Sequence, residues 1–427
     1  MHSSTVKYHI SWVMSLTFLV LISTTPSHAQ DAVIDALKRQ VSEMQAAMKK
    51  VMARIEQLEK ERMANTESPP PAPPEPQTAT TTGSASSGKG ILNSFNPAIS
   101  VNGLFGGGYS TDLDATQQMT NPNFQNGFNF QEAEFQFTAD VDPYFNANFI
   151  LAVDRAGEVE IEEGYVTSER LPYDLLPRDT SLKTGKFYAA FGKHNLLHAH
   201  QFPFIDRPLI NQAAFGDEGL NEPGVGLSYL LPTSWFSELT FQGLAGENEN
   251  LFLSSGDSKP RGAYLGHWKN FFDLSDSTTL EFGNSYIGGR NSDAGHRLSQ
   301  AIGADLTMKW RPLQTATEKA LIWQNEYIYF SRDRERPPSS RGGGFYSSLQ
   351  YQFARNWWIQ GRYDLLGVPR LDEGRNNRWT TLLALVPSEF SALRLQHSYT
   401  TQSHGKSVNE ILLQMSFTIG SHPAHRY

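Results

Sequence analysis

The feature that most constrains the fold is a strict alternation near the C-terminal end of the chain. From residue 411 to residue 419, every second side chain is apolar. These apolar side chains are Ile411, Leu413, Met415, Phe417 and Ile419. Gln414, Ser416 and Thr418 lie between them, and Leu412 is the one exception. Since successive side chains of a strand point to opposite faces, this segment predicts a strand between an apolar and a polar environment.

The same alternation recurs from residue 97 to residue 420 in segments of about ten residues, with no helical segment among them. The candidate strands are 97–110, 126–141, 145–154, 158–169, 180–191, 224–232, 237–247, 262–273, 278–290, 297–312, 318–333, 343–355, 357–367, 377–387, 390–401 and 409–420. A soluble sandwich could show alternation, but repetition on this scale favours an all-β transmembrane barrel of about sixteen antiparallel strands. In a membrane the first and last strands of such a sheet must pair with each other, because lipid cannot satisfy the backbone hydrogen-bonding groups of an open edge.

The connections between these candidate strands alternate between short and long. Short ones include 142–144, 275–277, 355–356 and 387–389, whereas 111–125, 192–223 and 248–261 are long. Outer-membrane barrels have short periplasmic turns and longer outer loops. An even strand number returns the C-terminus to the periplasm, where the first strand would begin.

Three segments precede the predicted barrel, which we place at 91–427. Residues 1–29 predict a secretory signal peptide, since a short apolar core precedes the cleavage pattern Ser27-His28-Ala29. Residues 31–63 predict a coiled coil. Residues 64–90 are rich in Pro, Thr, Ser and Gly and predict a linker, with an extended polyproline part.

The coiled-coil prediction depends on a seam of apolar residues at alternating spacings of three and four. The seam consists of Ile34, Leu37, Val41, Met44, Met48, Val51, Ile55 and Leu58. This narrow period favours helix association over a single amphipathic helix lying on a membrane. The residue types in the seam do not decide between a dimer and a trimer, because the two Met residues pack adaptably. We expect a homotrimer with its coiled coil in the periplasm.

Composition excludes several kinds of function. The chain has no cysteine, so disulfide and thiolate-metal chemistry are absent. Its net charge of −8 argues against a nucleic-acid partner. No nucleophile-elbow motif is present, so we expect no enzymatic activity, and an outer-membrane hydrolase is the least favoured alternative.

The longest connection, 192–223, is too apolar to extend into water, with Leu196, Phe202 and Phe204 among its residues. We expect it to fold into the barrel and narrow it. Positions facing the interior carry charges of both signs, which predicts a wet interior rather than a packed core. The candidate constriction residues are Asp206, Arg207, Asp217, Glu218, Arg362 and Arg394.

This connection also carries three histidines, His194, His198 and His200. Imidazole is a ligand for zinc and other transition metals, so the three are candidate metal ligands. The alternative is that they are hydrogen-bonded polar residues in a folded loop. No resident cofactor is expected; zinc or another transition metal would be a substrate or a ligand.

Several segments resemble a family of uncharacterised porin-like outer-membrane proteins with an N-terminal coiled coil. They are the barrel entry at 95–100, the stretch 198–209, the Gly-Asp-Glu-Gly segment at 216–219 and the terminus at 422–427. The chain is also similar to siderophore porins of the legiobactin-receptor type and, more distantly, to phosphate-selective porins, which combine a coiled coil with a trimeric barrel. In general porins, which the chain also resembles in this respect, the loop after the fifth strand narrows the channel.

The residues and the resemblance together predict a channel in the outer membrane of a Gram-negative bacterium, in contact with its lipid. Small solutes would pass through it, with metal or metal-chelate uptake as one possibility, and the chain lacks the plug domain of a TonB-dependent receptor. The other hypothesis is a structural tether, in which the barrel only anchors the periplasmic coiled coil. A lumen blocked by packed apolar side chains would favour the tether.

Overall fold

The structure of the protein is a computed structural model. It describes residues 97–111, 126–171, 173, 175, 177–252, 261–291, 297–333, 340–371, 374–403 and 407–420. The predicted signal peptide at 1–29, coiled coil at 31–63 and linker at 64–90 lie outside these residues and stay predictions. Within the described ranges, no helix has the length and apolar character needed to cross a bilayer.

Sixteen antiparallel strands form one sheet. They are β1 (Ala98–Ser110), β2 (Gly127–Asp140), β3 (Asn146–Asp154), β4 (Val159–Ser168), β5 (Thr180–Tyr188), β6 (Asn221–Leu230), β7 (Phe236–Leu244), β8 (Ala263–Ser275), β9 (Thr278–Arg290), β10 (Leu298–Trp310), β11 (Ala320–Arg332), β12 (Ser340–Ala354), β13 (Trp357–Leu371), β14 (Asn376–Ser388), β15 (Ser391–Thr401) and β16 (Val408–Gly420). Each strand pairs with its neighbours in sequence, and β1 pairs with β16, so the sheet closes. In that closing pair Val101 is opposite Ile419. The predicted fold class is confirmed, because every candidate strand overlaps one of these sixteen.

The two ends of the barrel differ in their connections. One end, here called the turn rim, carries the two-residue turns 276–277, 355–356 and 389–390. The opposite end, the loop rim, carries 189–220 and 245–262. The predicted alternation of lengths holds with exceptions. Residues 155–158 form a short turn at the loop rim, and 311–319 is a longer connection at the turn rim that contains the 3-10 helix Leu313–Thr315.

The outer face of the barrel is apolar. On β16, Leu413 and Met415 are 43% and 52% exposed, whereas Gln414 between them is 1% exposed and faces the interior. Aromatic side chains are exposed near both rims. They include Trp235, Phe353, Trp357 and Phe390 at the turn rim, and Tyr109, Tyr264 and Trp379 at the loop rim. An apolar band between two aromatic girdles matches the hydrocarbon layer of a bilayer, so this is a transmembrane barrel.

Leu412, the exception in the alternation of β16, has a structural explanation. It points into the barrel and is buried there against Phe204 and Ile205 of the β5–β6 connection, together with Leu382 and Ala384 of β14. An apolar residue on the inner face therefore marks a place where the connection packs against the wall.

Candidate functional site

The β5–β6 connection lies inside the barrel, as its apolar content predicted. It contains two 3-10 helices, His194–Leu196 and Ala199–Gln201, and the α-helix α1 (Leu209–Phe215). The two ends of the connection meet at Asn195. The Asn195 Nδ2 donates to the carbonyls of Ala189 at 2.9 Å and Leu220 at 3.1 Å, and Leu220 N–H donates to Asn195 Oδ1 at 2.7 Å. The side chain thus closes the base of the connection.

Part of the barrel interior is a packed apolar core, which corrects the prediction of a wet interior. From α1, Leu209, Ile210 and Phe215 join one buried cluster with inward-facing wall residues such as Ile287 and Ile328. The helix packs against β11, β12 and β13. Alternation in the sequence assigns each side chain to one face of its strand, but it does not identify what that face contacts. Here the inward positions near the loop rim are apolar because they cover the connection.

A buried charged network fixes the middle of the connection. Asp206 Oδ2 accepts from Arg362 Nη2 at 2.9 Å and from Arg378 Nη1, and Asp206 Oδ1 accepts from Gln396 Nε2 at 2.7 Å. Arg362 Nε also donates to Asp364 at 2.7 Å. Burial alone would raise the pKa of Asp206, but Arg362 and Arg378 outweigh burial and hold that pKa below its ordinary value. The carboxylate is therefore ionised and anchors the connection to β13, β14 and β15.

The candidate constriction residues fall into two groups. Asp206 and Arg362 are buried in the anchoring network rather than lining open space. Arg207, Asp217 and Glu218 line a cavity on the loop-rim side of the connection. Arg394 lines a cavity on the turn-rim side and donates to the carbonyl of Phe202 at 2.6 Å.

These two spaces, the outer cavity toward the loop rim and the inner cavity toward the turn rim, lie on opposite sides of the connection. The outer cavity has a volume of about 170 Å³ and the inner cavity about 380 Å³. Phe202 lines both, and the Arg207 guanidinium lies 4.7 Å from the centre of its ring. Phe202 therefore lies between the two cavities.

The cavities carry opposite charge. The outer cavity is lined by six carboxylates and two basic side chains: Glu132, Asp154, Glu160, Glu162, Asp217 and Glu218, with Lys186 and Arg207. The inner cavity is lined by four strongly basic side chains and one carboxylate: Lys193, Lys309, Arg311 and Arg394, with Glu389. The field along the barrel axis thus favours cations on one side and anions on the other.

Glutamates and histidines meet between the cavities in a cluster that we call the Glu–His cluster, formed by Glu134, Glu162, Glu163, His198 and His200. His198 Nδ1 lies 3.2 Å from Glu162 Oε2 and 3.8 Å from Glu134 Oε2. His200 Nδ1 lies 2.8 Å from Glu134 Oε2. One ligand-type atom from each of Glu134, Glu162 and His198 falls within 4.8 Å of the other two. Burial would lower the pKa of His198, but nearby Glu162 raises it well above its ordinary value.

Hydrogen bonds orient these side chains from outside the cluster. His198 Nε2 lies 3.1 Å from Glu163 Oε2, and Glu163 Oε1 accepts from the Tyr188 N–H at 2.8 Å. The Tyr188 hydroxyl donates to Glu162 Oε1 at 2.7 Å. Lys183 Nζ lies 3.7 Å from Glu163 Oε1. These contacts leave His198 Nδ1 and Glu162 Oε2 facing each other.

His194 lies elsewhere in the connection. Its ring packs against the rings of Phe202 and Tyr346, with centroid distances of 4.6 Å and 6.3 Å. The backbone N–H of His194 donates to Glu326 Oε2 at 3.3 Å. Burial, with a smaller contribution from Arg207 and Arg362, lowers the pKa of His194 well below its ordinary value. The structure thus brings His198 and His200 together and separates His194 from them.

A β-bulge explains why alternation places Glu134 and Glu162, but not Glu163, on the inner face of the barrel. In the β3–β4 pairing Ile150 is opposite Glu163 and Leu151 opposite Ile161, so Glu162 is an extra residue. In the β1–β2 pairing the register likewise shifts at Leu104. The extra residue lets the consecutive Glu162 and Glu163 both reach the interior. Period-two alternation places them on opposite faces, and the acidic run at 158–163 was the available signal.

Comparisons with known proteins agree with this architecture. An anion-selective porin from Comamonas acidovorans superposes with a TM-score of 0.51 at 10% identity, over 76% of this chain and 100% of that one. The fold is that of a porin-like barrel. The outer membrane channel DcaP of Acinetobacter baumannii gives a TM-score of 0.49 at 11% identity, over 76% of this chain and 96% of that one.

Among proteins of known sequence, an uncharacterised protein of Aquifex aeolicus (strain VF5) is 29% identical over 346 residues, 71% of each chain. No protein-family profile matches the chain. The resemblance to siderophore porins therefore stays a prediction.

Proposed function

We propose that the protein is a porin-like channel for small solutes in the outer membrane of a Gram-negative bacterium. The observation that supports this most is the arrangement of the interior. A closed barrel contains an inward-folded connection that leaves polar, oppositely charged cavities on its two sides. A barrel that only anchored another domain would not need charged cavities aligned along its axis.

The size and charge of the outer cavity favour small cationic solutes. Its volume of about 170 Å³ is below the roughly 300–1,000 Å³ of typical small-molecule sites. Metal ions and small cations fit this space better than a bulky metal chelate does. Solutes would enter through the acidic outer cavity, pass Phe202 and leave through the inner cavity, with no TonB-type plug.

Single-channel recording of the purified protein in planar bilayers tests the proposal. We expect discrete conductance steps, and in a salt gradient the sign of the reversal potential reports whether the acidic outer cavity or the basic inner cavity dominates ion selectivity. Deleting residues 196–212 removes most of the inward connection and should raise the conductance. A correctly folded barrel without conductance in either form would contradict the proposal.

A second candidate, the structural tether, has one observation in its favour. The apolar core between α1 and the wall fills part of the lumen with packed side chains such as Phe191 and Phe215, whose rings lie 4.9 Å apart. If the protein is a structural tether, the variant that lacks residues 196–212 should conduct ions and the full protein should not. The two candidates are therefore separated by the same recordings.

For assembly, we propose a homotrimer with the coiled coil of residues 31–63 in the periplasm. A heptad seam of this length is marginal as a lone helix and needs partner chains. Asp substitutions at Val41, Met48 and Ile55 place charges in the seam and should abolish helix association. Native mass spectrometry in mild detergent measures the result, and a monomeric unsubstituted protein would contradict the assignment.

A further inference from the structure

We propose that the Glu–His cluster is a binding site for one divalent transition-metal ion of the zinc class, with Glu134, Glu162, His198 and His200 as ligands. In tetrahedral zinc sites the ligand atoms lie 2.0–2.2 Å from the metal, which places them about 3.3 Å apart. His198 Nδ1 lies 3.2 Å from Glu162 Oε2 and 3.8 Å from Glu134 Oε2, and one ligand atom from each of these three residues lies within 4.8 Å of the other two. His200 Nδ1 lies 2.8 Å from Glu134 Oε2 and must move toward the ion to become the fourth ligand.

The orientation of His198 and Glu162 supports the same assignment. His198 Nδ1 and Glu162 Oε2 are 3.2 Å apart, which is ion-pair distance, but they are not aligned as a well-formed hydrogen bond. Glu134 Oε1 is also buried without a hydrogen-bond partner. Buried carboxylate and imidazole atoms without partners are costly. Atoms that are close together and not aimed at one another are arranged for a third atom between them.

The outer contacts match those of metal-bound histidines. When Nε2 of His198 carries the proton and donates it to Glu163, Nδ1 presents its lone pair to the cluster. A carboxylate that orients an imidazole in this way is the usual outer partner of a ligating histidine. Tyr188 acts in the same manner on Glu162, since it engages Oε1 and leaves Oε2 for the ion.

The position of the cluster provides access. Glu162 lines the outer cavity and His200 lines the inner cavity, so an ion can reach the ligands from either side. The mixture of imidazole and carboxylate suits zinc and neighbouring transition metals better than Ca²⁺ or Mg²⁺, which prefer oxygen ligands alone. The acidic outer cavity raises the local concentration of any cation.

Zinc titration of the purified full-length protein tests the site. The protein carries no polyhistidine tag, is stripped of metal with a chelator and is kept in detergent. Isothermal titration calorimetry with Zn²⁺ should show one site that is absent from the double variant Glu134→Gln, His198→Gln. Co²⁺ bound there should give the intense visible absorption of tetrahedral cobalt, and excess Ca²⁺ should not displace it.

Three single variants sharpen the result. Glu163→Gln keeps all four ligands and should weaken Zn²⁺ binding about 10- to 100-fold, as expected for an outer partner of a ligand. His194→Gln and His397→Gln remove histidines outside the cluster and should leave binding unchanged. Heat-modified electrophoretic mobility confirms that each variant is a folded barrel.

Two results would overturn the proposal. One is Zn²⁺ binding that is the same in the double variant, which would place the metal elsewhere in the chain. The other is no Zn²⁺ binding by the full protein, in which case the cluster is a network of carboxylates and protonated histidines. Since binding is measured without ion flow, either result leaves the channel function to be judged by the recordings.

Discussion

Replacing Asp206 by alanine should release the inward connection from the barrel wall. The carboxylate lies between two guanidinium groups, and the side chains of Arg362 and Arg378 are 1% and 0% exposed. The two arginines and the carboxylates of Asp206 and Asp364 together carry no net charge. Without Asp206 a buried positive charge is left over. Arg362 then keeps Asp364 and the carbonyl of residue 206, and Arg378 keeps Thr400.

The size of the effect follows from the loss of one partner in a buried ion pair. Such a loss costs about 3–5 kcal/mol. Since each 1.4 kcal/mol is a factor of ten, the open state of the connection should gain roughly 100- to 4,000-fold in population. The barrel itself should persist, because its strands are held by their own backbone hydrogen bonds.

Hydrogen exchange of two backbone amides reports this opening directly. Ile205 N–H donates to Gln396 Oε1 at 2.8 Å, and Leu209 N–H donates to Asp364 Oδ1 at 3.1 Å. In Asp206→Ala both amides should exchange faster by the factor given above. As a control, Asp217→Ala removes an exposed carboxylate from the same connection and should change exchange no more than about twofold.

A second substitution tests whether uncompensated charge is the cause. Adding Arg378→Met to Asp206→Ala leaves Arg362 paired with Asp364, so protection of Ile205 should recover in part. Unchanged exchange in Asp206→Ala, or no recovery in the double variant, would refute this account of the network.

Three further predictions concern the pore, the pH response and the lipid face. Phe202→Ala should raise single-channel conductance because Phe202 lines both cavities, and equal conductance would show that the narrow point lies elsewhere. Burial depresses the pKa of His194, so its stabilising contribution is present above the ordinary pKa of 6.5 and is lost as pH falls below it. The protection factors of amides in the connection, which correct for the pH dependence of intrinsic exchange, should therefore fall as the pH is lowered from about 7 to 5, but less so in His194→Gln. Leu413→Arg should cost about 2–4 kcal/mol of barrel stability at the bilayer midplane, measured by urea unfolding in lipid vesicles.

The strands were predictable because the local sequence of each strand is enough to identify it. Alternation gives the two faces of a strand, and turn residues give its ends, so neither needs information from distant parts of the chain. Candidate strand 278–290 has the bounds of β9, whereas β6 begins at Asn221 rather than at 224. That difference lies beside the inward connection, where Asn221 pairs with Tyr188 of β5 and its Nδ2 donates to the carbonyl of Glu162.

The candidate site was less predictable because distant residues define it. Ile205 and Gln396 are 191 positions apart, and His198 and Glu163 are 35 apart. The spacing of His194, His198 and His200 suggested three ligands, but a 3-10 helix ends at Leu196 and turns the chain before His198. Local spacing thus identified the segment, and only the folded barrel shows which wall residues face it.

Charge balance separates the two buried networks by role. Around Asp206, two arginines face two aspartates, so the network is neutral as it stands and fixes the connection. Around His198, the carboxylates of Glu134, Glu162 and Glu163 are accompanied by Lys183, which leaves two negative charges when all three carboxylates are ionised and both imidazoles are neutral. Two protonated histidines or one divalent cation would compensate that charge. In the site that we propose, the cation provides this compensation, since His198 Nδ1 and Glu162 Oε2 lie 3.2 Å apart without the alignment of a well-formed hydrogen bond. We infer that the network that balances without a ligand serves the fold, and that the acidic network beside a polar cavity serves binding.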